Sequence, residues 1–163
     1  MLITIWVLGT LVVLAVLVVL AGQLGLFKGR APRNPGVRDG RLKPPSRTAN
    51  SVSSQAALYP DHEMRELARI APLALRGDAT ATFARLRSVL QSMPGAKIVK
   101  IEPDYLYVQF TTRLMGFVDD AEFWFDPAAQ AIQVRSASRV GRKDYGVNRA
   151  RIEAIRSQLT AVA

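Results

Sequence analysis

The stretch YLYVQFTTRLMGFVDDAEFWFDPAAQAIQVRSASRV, residues 105–140, decides the fold. Tyr105 to Leu114 is rich in aromatic and β-branched residues. Met115-Gly116 reads as a tight turn, Phe117 to Phe125 as a second strand, Asp126-Pro127 as a break and Ile132 to Ser138 as a third strand. A two-residue turn at Met115-Gly116 sets Leu114 opposite Phe117, Phe110 opposite Ala121 and Val108 opposite Phe123. Phe125 opposite Ile132 sets Phe123 against Val134, Glu122 against Arg135 and Ala121 against Ser136. Side chains alternate between faces along a strand. One face then carries Leu106, Val108, Phe110, Phe123, Phe125, Ile132 and Val134, with Thr112, Asp119, Ser136 and Ser138 as its polar end. The opposite face carries Asp120, Glu122, Arg135 and Arg139. A slip of one residue would exchange the two faces.

Working outward, Lys97 to Glu102 alternates as a preceding strand, turned by Pro103-Asp104. Asp78 to Met93 is a helix with Asp78 as its N-cap and a stripe of Phe83, Leu86, Leu90 and Met93, stopped by Pro94-Gly95. Glu63 to Leu75 has apolar residues at helical spacing. Asn148 is placed to cap a last helix with the stripe Ile152, Ile155, Leu159 and Val162. These elements predict an α+β domain, a four-stranded antiparallel meander with helices packed on one face.

Before the domain, Met1 to Phe27 holds no charged side chain. Leu2 to Gly22 would be about 31 Å long as a helix, the thickness of a bilayer's hydrocarbon core. A cleaved signal peptide is the alternative. Nothing basic precedes the apolar run, however, and Ala21-Gly22-Gln23 is a weak cleavage site. With no cysteine in the chain, lipid modification of a Cys and disulfides are both excluded. The expected organisation is an anchor over 1–27, a basic Pro/Gly-rich linker over 28–60 that is extended and partly ordered against the domain, and the α+β domain over 61–163.

The net charge is +9. Lys28, Arg30, Arg33, Arg38, Arg41, Lys43 and Arg47 face one acid, Asp39, between residues 28 and 50, so +6 of the excess sits beside the span. The positive-inside rule then places the domain in the cytoplasm, with a periplasmic domain as the alternative. Basic residues in that position suit anionic headgroups, at about 1 kcal/mol each. Nucleic acid is not expected, since no recognition module or aromatic–basic platform accompanies the charge.

The polar residues of the second half, 116–156, resemble a known bacterial and plastid family, the domain-of-unknown-function 1499 family. The resemblance spans roughly residues 40–160. It rests on Gly116-Phe117-Val118-Asp119-Asp120 with Glu122-Phe123, on Arg135-Ser136-Ala137-Ser138-Arg139-Val140-Gly141, and on Asp144, Gly146, Asn148, Arg149, Arg151 and Arg156. Family members often carry Leu-x-x-Cys-Pro-x-x-Pro-Asn-Cys-Val-Ser-Ser further upstream. Here Leu42, Asn50, Val52, Ser53 and Ser54 match, while Pro45 and Ser51 stand at the two Cys positions, so a thiol role is absent. The resemblance implies no particular activity.

The candidate binding residues are Asp120, Glu122, Arg135, Ser138, Arg139, Asp144, Asn148, Arg149 and Arg151. Arg139, Arg142, Lys143, Arg149 and Arg151 surround a Gly-bounded loop leading into a helix N-terminus, which favours an anion. The competing reading pairs these arginines with Asp119, Asp120, Asp144 and Glu153. Asp119 is the one candidate catalytic residue, a carboxylate for acid–base work at the polar end of the core face. Asp119, Asp120 and Glu122 make a poor metal site because alternation splits them between faces. The serines lack a His base. His62 is expected as a surface or capping residue, and Trp124 and Tyr145 as packing residues. No cofactor or metal is called for. The expected function is that of a membrane-anchored accessory protein, non-enzymatic, engaging a membrane partner or an anionic headgroup. The rivals are a carboxylate enzyme and a purely structural subunit of a membrane complex docked through its helix.

Overall fold

A computed structural model describes residues 2–75 and 77–161. The apolar run forms one helix, α1 (Leu2–Gln23), long and apolar enough to cross a membrane. The domain follows as β1 (Ser51–Ser53), α2 (Arg65–Ala68), β2 (Leu73–Ala74), α3 (Ala79–Ser92), β3 (Ala96–Ile101), β4 (Tyr105–Thr111), β5 (Val118–Asp126), β6 (Ala131–Ser138) and α4 (Val147–Ala161). The sheet is antiparallel in the order β1-β6-β5-β4-β3, and the short β2 also pairs with β6. The expected meander is β3 to β6, and it gains two short strands on its outer edge.

The β5–β6 register is the one expected, with Glu122 opposite Arg135 and Phe123 opposite Val134. The β4–β5 register is not. Phe110 faces Asp119 and Val108 faces Ala121, because the chain turns over a wider loop. Thr112 closes that loop, its N–H donating to the Phe117 carbonyl and its Oγ1 accepting the Phe117 N–H. The resulting shift is two residues, an even number, so every side chain keeps its expected face.

Leu106, Val108, Phe110, Phe123, Ile132 and Val134 pack against Phe83, Leu86 and Leu90 of α3 and Ile152, Ile155 and Leu159 of α4. Val162 of the expected stripe lies outside the described residues. Asp78 caps α3 by accepting the Ala81 N–H at 2.9 Å.

The helix expected over Glu63 to Leu75 is reduced to the single turn α2. His62 precedes it, accepting the Met64 N–H on Nδ1. Beyond it, Arg69 is extended and the Ile70 N–H donates to the Ser53 carbonyl. Pro72 disfavours helical geometry at Ala71. Two arginines of α4 then hold the bent chain by its carbonyls: Arg149 reaches Leu67 and Arg69, and Arg156 reaches Ala71 and Pro72, at 2.6 to 3.0 Å.

The stretch read as linker, 28–60, is not linker throughout. Leu42, Asn50, Val52, Ser53, Gln55 and Ala56 are buried, so the folded domain begins near residue 42 rather than 61. Residues 33–47 cross the sheet face opposite the helices as a strap. Leu42 and Val37 pack there on Tyr105, Tyr107 and Trp124. An irregular covering has no periodicity, which is why composition alone reads it as a spacer.

The end of α1 rests on the β4–β5 loop. Gln23 Nε2 donates to the Arg113 and Leu114 carbonyls, each at 2.8 Å, and the Phe27 and Phe117 rings meet at 5.7 Å. Gly116 has φ of 64°, and a Cβ there would lie 2.5 Å from the Gly22 carbonyl oxygen. Glycine is required at that contact both for its backbone angle and for the closeness of the approach.

Candidate functional site

The two faces of β5 and β6 each carry a polar assembly, and alternation decides which residue joins which. On the helix face, Asp119 is 6% exposed and its Oδ2 lies 2.6 Å from Arg151 Nη2. The Arg151 guanidinium stacks over Phe110, 4.5 Å from the ring centroid. Its Nη1 donates to Asn148 Oδ1 at 2.8 Å.

Asn148 is fully buried and is the hub of this assembly. Its Oδ1 also accepts the Ser136 hydroxyl, and its Nδ2 donates to Ser138 Oγ, the Asn50 carbonyl and Asp144 Oδ2. It is therefore not the helix cap. Asp144 fills that place, accepting the N–H groups of Gly146 and Asn148. Burial raises the Asp144 pKa, but the hydrogen bonds from the Asn148 side chain and those backbone N–H groups outweigh it, leaving the carboxyl below its ordinary value.

On the strap face, Glu122 is 1% exposed. Its Oε2 accepts the Tyr105 hydroxyl and the Gly36 N–H, both at 2.7 Å, and its Oε1 lies 3.9 Å from Arg135 Nη1. Arg135 Nε donates to the Pro44 carbonyl. Asp120 is gripped at both oxygens by Arg139, at 2.7 Å each, and accepts the Tyr107 hydroxyl at 2.5 Å. Gln55 accepts the Leu42 N–H and donates to the Gly40 carbonyl, and Tyr59 donates to the Leu42 carbonyl. The buried side chains of this face therefore bind the strap by its backbone.

The electrostatics match those contacts. Burial first, then the Glu122 charge and hydrogen bond, push the Tyr105 hydroxyl far above its ordinary pKa. Tyr107 is raised by burial and by its bond to Asp120. Both phenols are thus fixed donors. Burial lowers Arg135 against the pull of Glu122, while the hydrogen bond to Asp120 raises Arg139. Burial also lowers the Lys43 ammonium, with Arg135 and Arg38 acting the same way against Glu122.

The expected residues are thus sorted into places. Asp119, Ser138, Asp144, Asn148 and Arg151 meet on the helix face, and Asp120, Glu122, Arg135 and Arg139 on the strap face. Arg149 stands apart on the carbonyls of Leu67 and Arg69. The basic group expected around the last helix start is dispersed: Arg139 and Arg151 hold carboxylates, and Asp144 occupies the helix N-terminus. Glu153 pairs with Arg156. Trp124 packs under the strap, whereas Tyr145, expected to pack, is 93% exposed.

Leu42, Gln55, Tyr59, Tyr105 and Tyr107 were missing from the expected set. The signal for the tyrosines was present, since Tyr105 and Tyr107 alternate on the same face as Glu122 and Asp120. The loop from Pro45 to Ser51 is closed by the Ser46 N–H donating to Ser51 Oγ at 2.8 Å.

Residues 41–159, which contain the carboxylates and arginines of both assemblies, match the family described as "Protein of unknown function (DUF1499)". No curated protein and no solved structure matches the chain.

Proposed function

The chain belongs to the DUF1499 family, and from that premise we propose a membrane-anchored, non-enzymatic binding module that rests on the bilayer by one end of its sheet. The observation that carries this reading is the seat of α1 on the β4–β5 loop, through Gln23 and the Gly22–Gly116 contact. That loop lies at the same end of the sheet as residues 139–146, which follow β6, and the start of α4. Leu114, Val140, Tyr145 and Val147 are exposed there, beside Lys28, Arg30, Arg113, Arg142 and Lys143. Apolar side chains among cations suit an interface with anionic lipid. The basic excess after the span supports a cytoplasmic domain by the positive-inside rule, and the resemblance to a bacterial and plastid family suggests a bacterial inner membrane.

Acid–base chemistry at Asp119 is the weaker reading, because the carboxylate is closed over by Arg151 rather than open to a substrate. A structural subunit docked through α1 has no specific support from the apolar helix surface.

Hydrogen exchange of the full chain in nanodiscs tests the seating. Amides of residues 139–147 are expected to exchange more slowly in phosphatidylglycerol-containing discs than in pure phosphatidylcholine. Arg142→Glu with Lys143→Glu is expected to abolish the difference. Equal exchange in the two lipids would count against the proposal.

A further inference from the structure

We propose that the strap forms a binding cleft for a small phosphate-bearing anion. The cleft encloses about 560 Å³ on the outer side of the strap. That volume falls within the roughly 300–1,000 Å³ of small-molecule sites. Arg33, Arg38, Arg41 and Lys43 line it, with Tyr59 and one acid, Asp39. The ion pairs among the described residues involve other arginines and lysines, and none takes up these four cations. Guanidinium groups match phosphate oxygens two at a time, which favours phosphate over a simple halide.

The cations are held in place by their backbone. Asp39 and Gly40 have φ of 51° and 67°, the signature of a two-residue hairpin turn. Arg38 and Arg41 flank it and exchange both N–H···O bonds, at 2.9 and 3.0 Å. Two like charges directly opposite each other across a hairpin are destabilising. The sequence nonetheless sets them there, on a hairpin fixed at its base by Leu42, which is 1% exposed and bonded to Gln55 and Tyr59. Lys43 Nζ, donating to the Arg33 carbonyl, ties the opposite wall to the same base. An anion between the walls relieves the repulsion.

This site goes beyond the membrane seating and does not rest on it. Its lining residues, between Arg33 and Tyr59, include none of the side chains placed at the seat.

The test is calorimetric titration of the full chain, in phosphatidylcholine nanodiscs, with inorganic pyrophosphate at constant ionic strength. Saturable binding is expected, weakened about tenfold or more by Arg38→Gln with Arg41→Gln, a factor worth about 1.4 kcal/mol. The double variant is expected to unfold at the same or a higher urea concentration, which separates lost binding from lost folding. Absence of saturable binding, or binding unchanged in the double variant, overturns the proposal. Added phosphatidic acid vesicles identify the source of the phosphate. Competition with pyrophosphate supports the cleft and assigns it a lipid headgroup, and lack of competition supports it with a soluble phosphate compound.

Discussion

Glu122→Ala lowers the unfolding free energy of the domain by about 3–5 kcal/mol, the range for removing one partner of a buried ion pair. Two groups lose their acceptor at once, the Tyr105 hydroxyl and the Gly36 N–H, and the Arg135 guanidinium loses the carboxylate that lies 3.9 Å from it. Arg135 is left as a buried cation bonded to the Pro44 carbonyl, with the Asp120 charge still acting on it. Glu122→Gln keeps an oxygen for Gly36 or Tyr105 and is expected to cost less, about 1–3 kcal/mol. Urea titration of the full chain in mild detergent, followed by tryptophan fluorescence, reads both. Trp124 sits in the same layer as Tyr105, so its emission reports the strap directly. A loss under about 1 kcal/mol for the alanine variant, as for a solvated surface pair, would mean that the strap is not bound.

Asp119→Ala carries a similar expected loss, about 3–5 kcal/mol, for the same reason on the other face. Its removal strands Arg151 against Phe110 and Asn148. The informative comparison is the double variant Asp119→Leu with Arg151→Met. Replacing a buried pair by apolar groups of similar volume is often neutral or stabilising. If the pair is structural, the double variant is expected to recover most of the single variant's loss. A double variant no more stable than Asp119→Ala would show that Arg151 does more than hold the carboxylate, since its Nη1 also donates to Asn148 Oδ1 and Ser136 Oγ.

Much of this domain is legible in its sequence. Alternation in 118–138 placed Asp119 on the core side and Asp120 and Glu122 on the other. The correct pairing of Glu122 with Arg135 followed from the single turn after Asp126. The error in the β4–β5 turn did no harm to the faces because it was even.

What stayed hidden has physical reasons. Nothing periodic in the sequence marks a covering for the face of Asp120, Glu122, Arg135 and Arg139. It is a second buried layer, and the chain that covers it lies between residues 33 and 47, rich in Pro, Gly and Arg. The Asp39-Gly40 pair was a readable turn signal that composition overrode. Asn148 looked like a cap by position, but a buried amide linking α4 to β6 outranks a cap, and Asp144 can reach the free N–H groups instead. The helix expected at 63–75 stops at Ala68, where Arg69 turns extended and Arg149 and Arg156 take up the carbonyls of the chain that follows.

The seating of the domain on the bilayer is tested most directly by depth. The chain has no cysteine, so one introduced residue carries one label. Labels at Leu114→Cys and Tyr145→Cys report the end next to α1, and Pro103→Cys reports the turn at the opposite end of the sheet. In full-chain nanodiscs containing a headgroup-attached quencher, fluorescence at 114 and 145 is predicted to be strongly quenched and fluorescence at 103 to be unaffected. Equal quenching at all three positions, or stronger quenching at 103, would contradict the account.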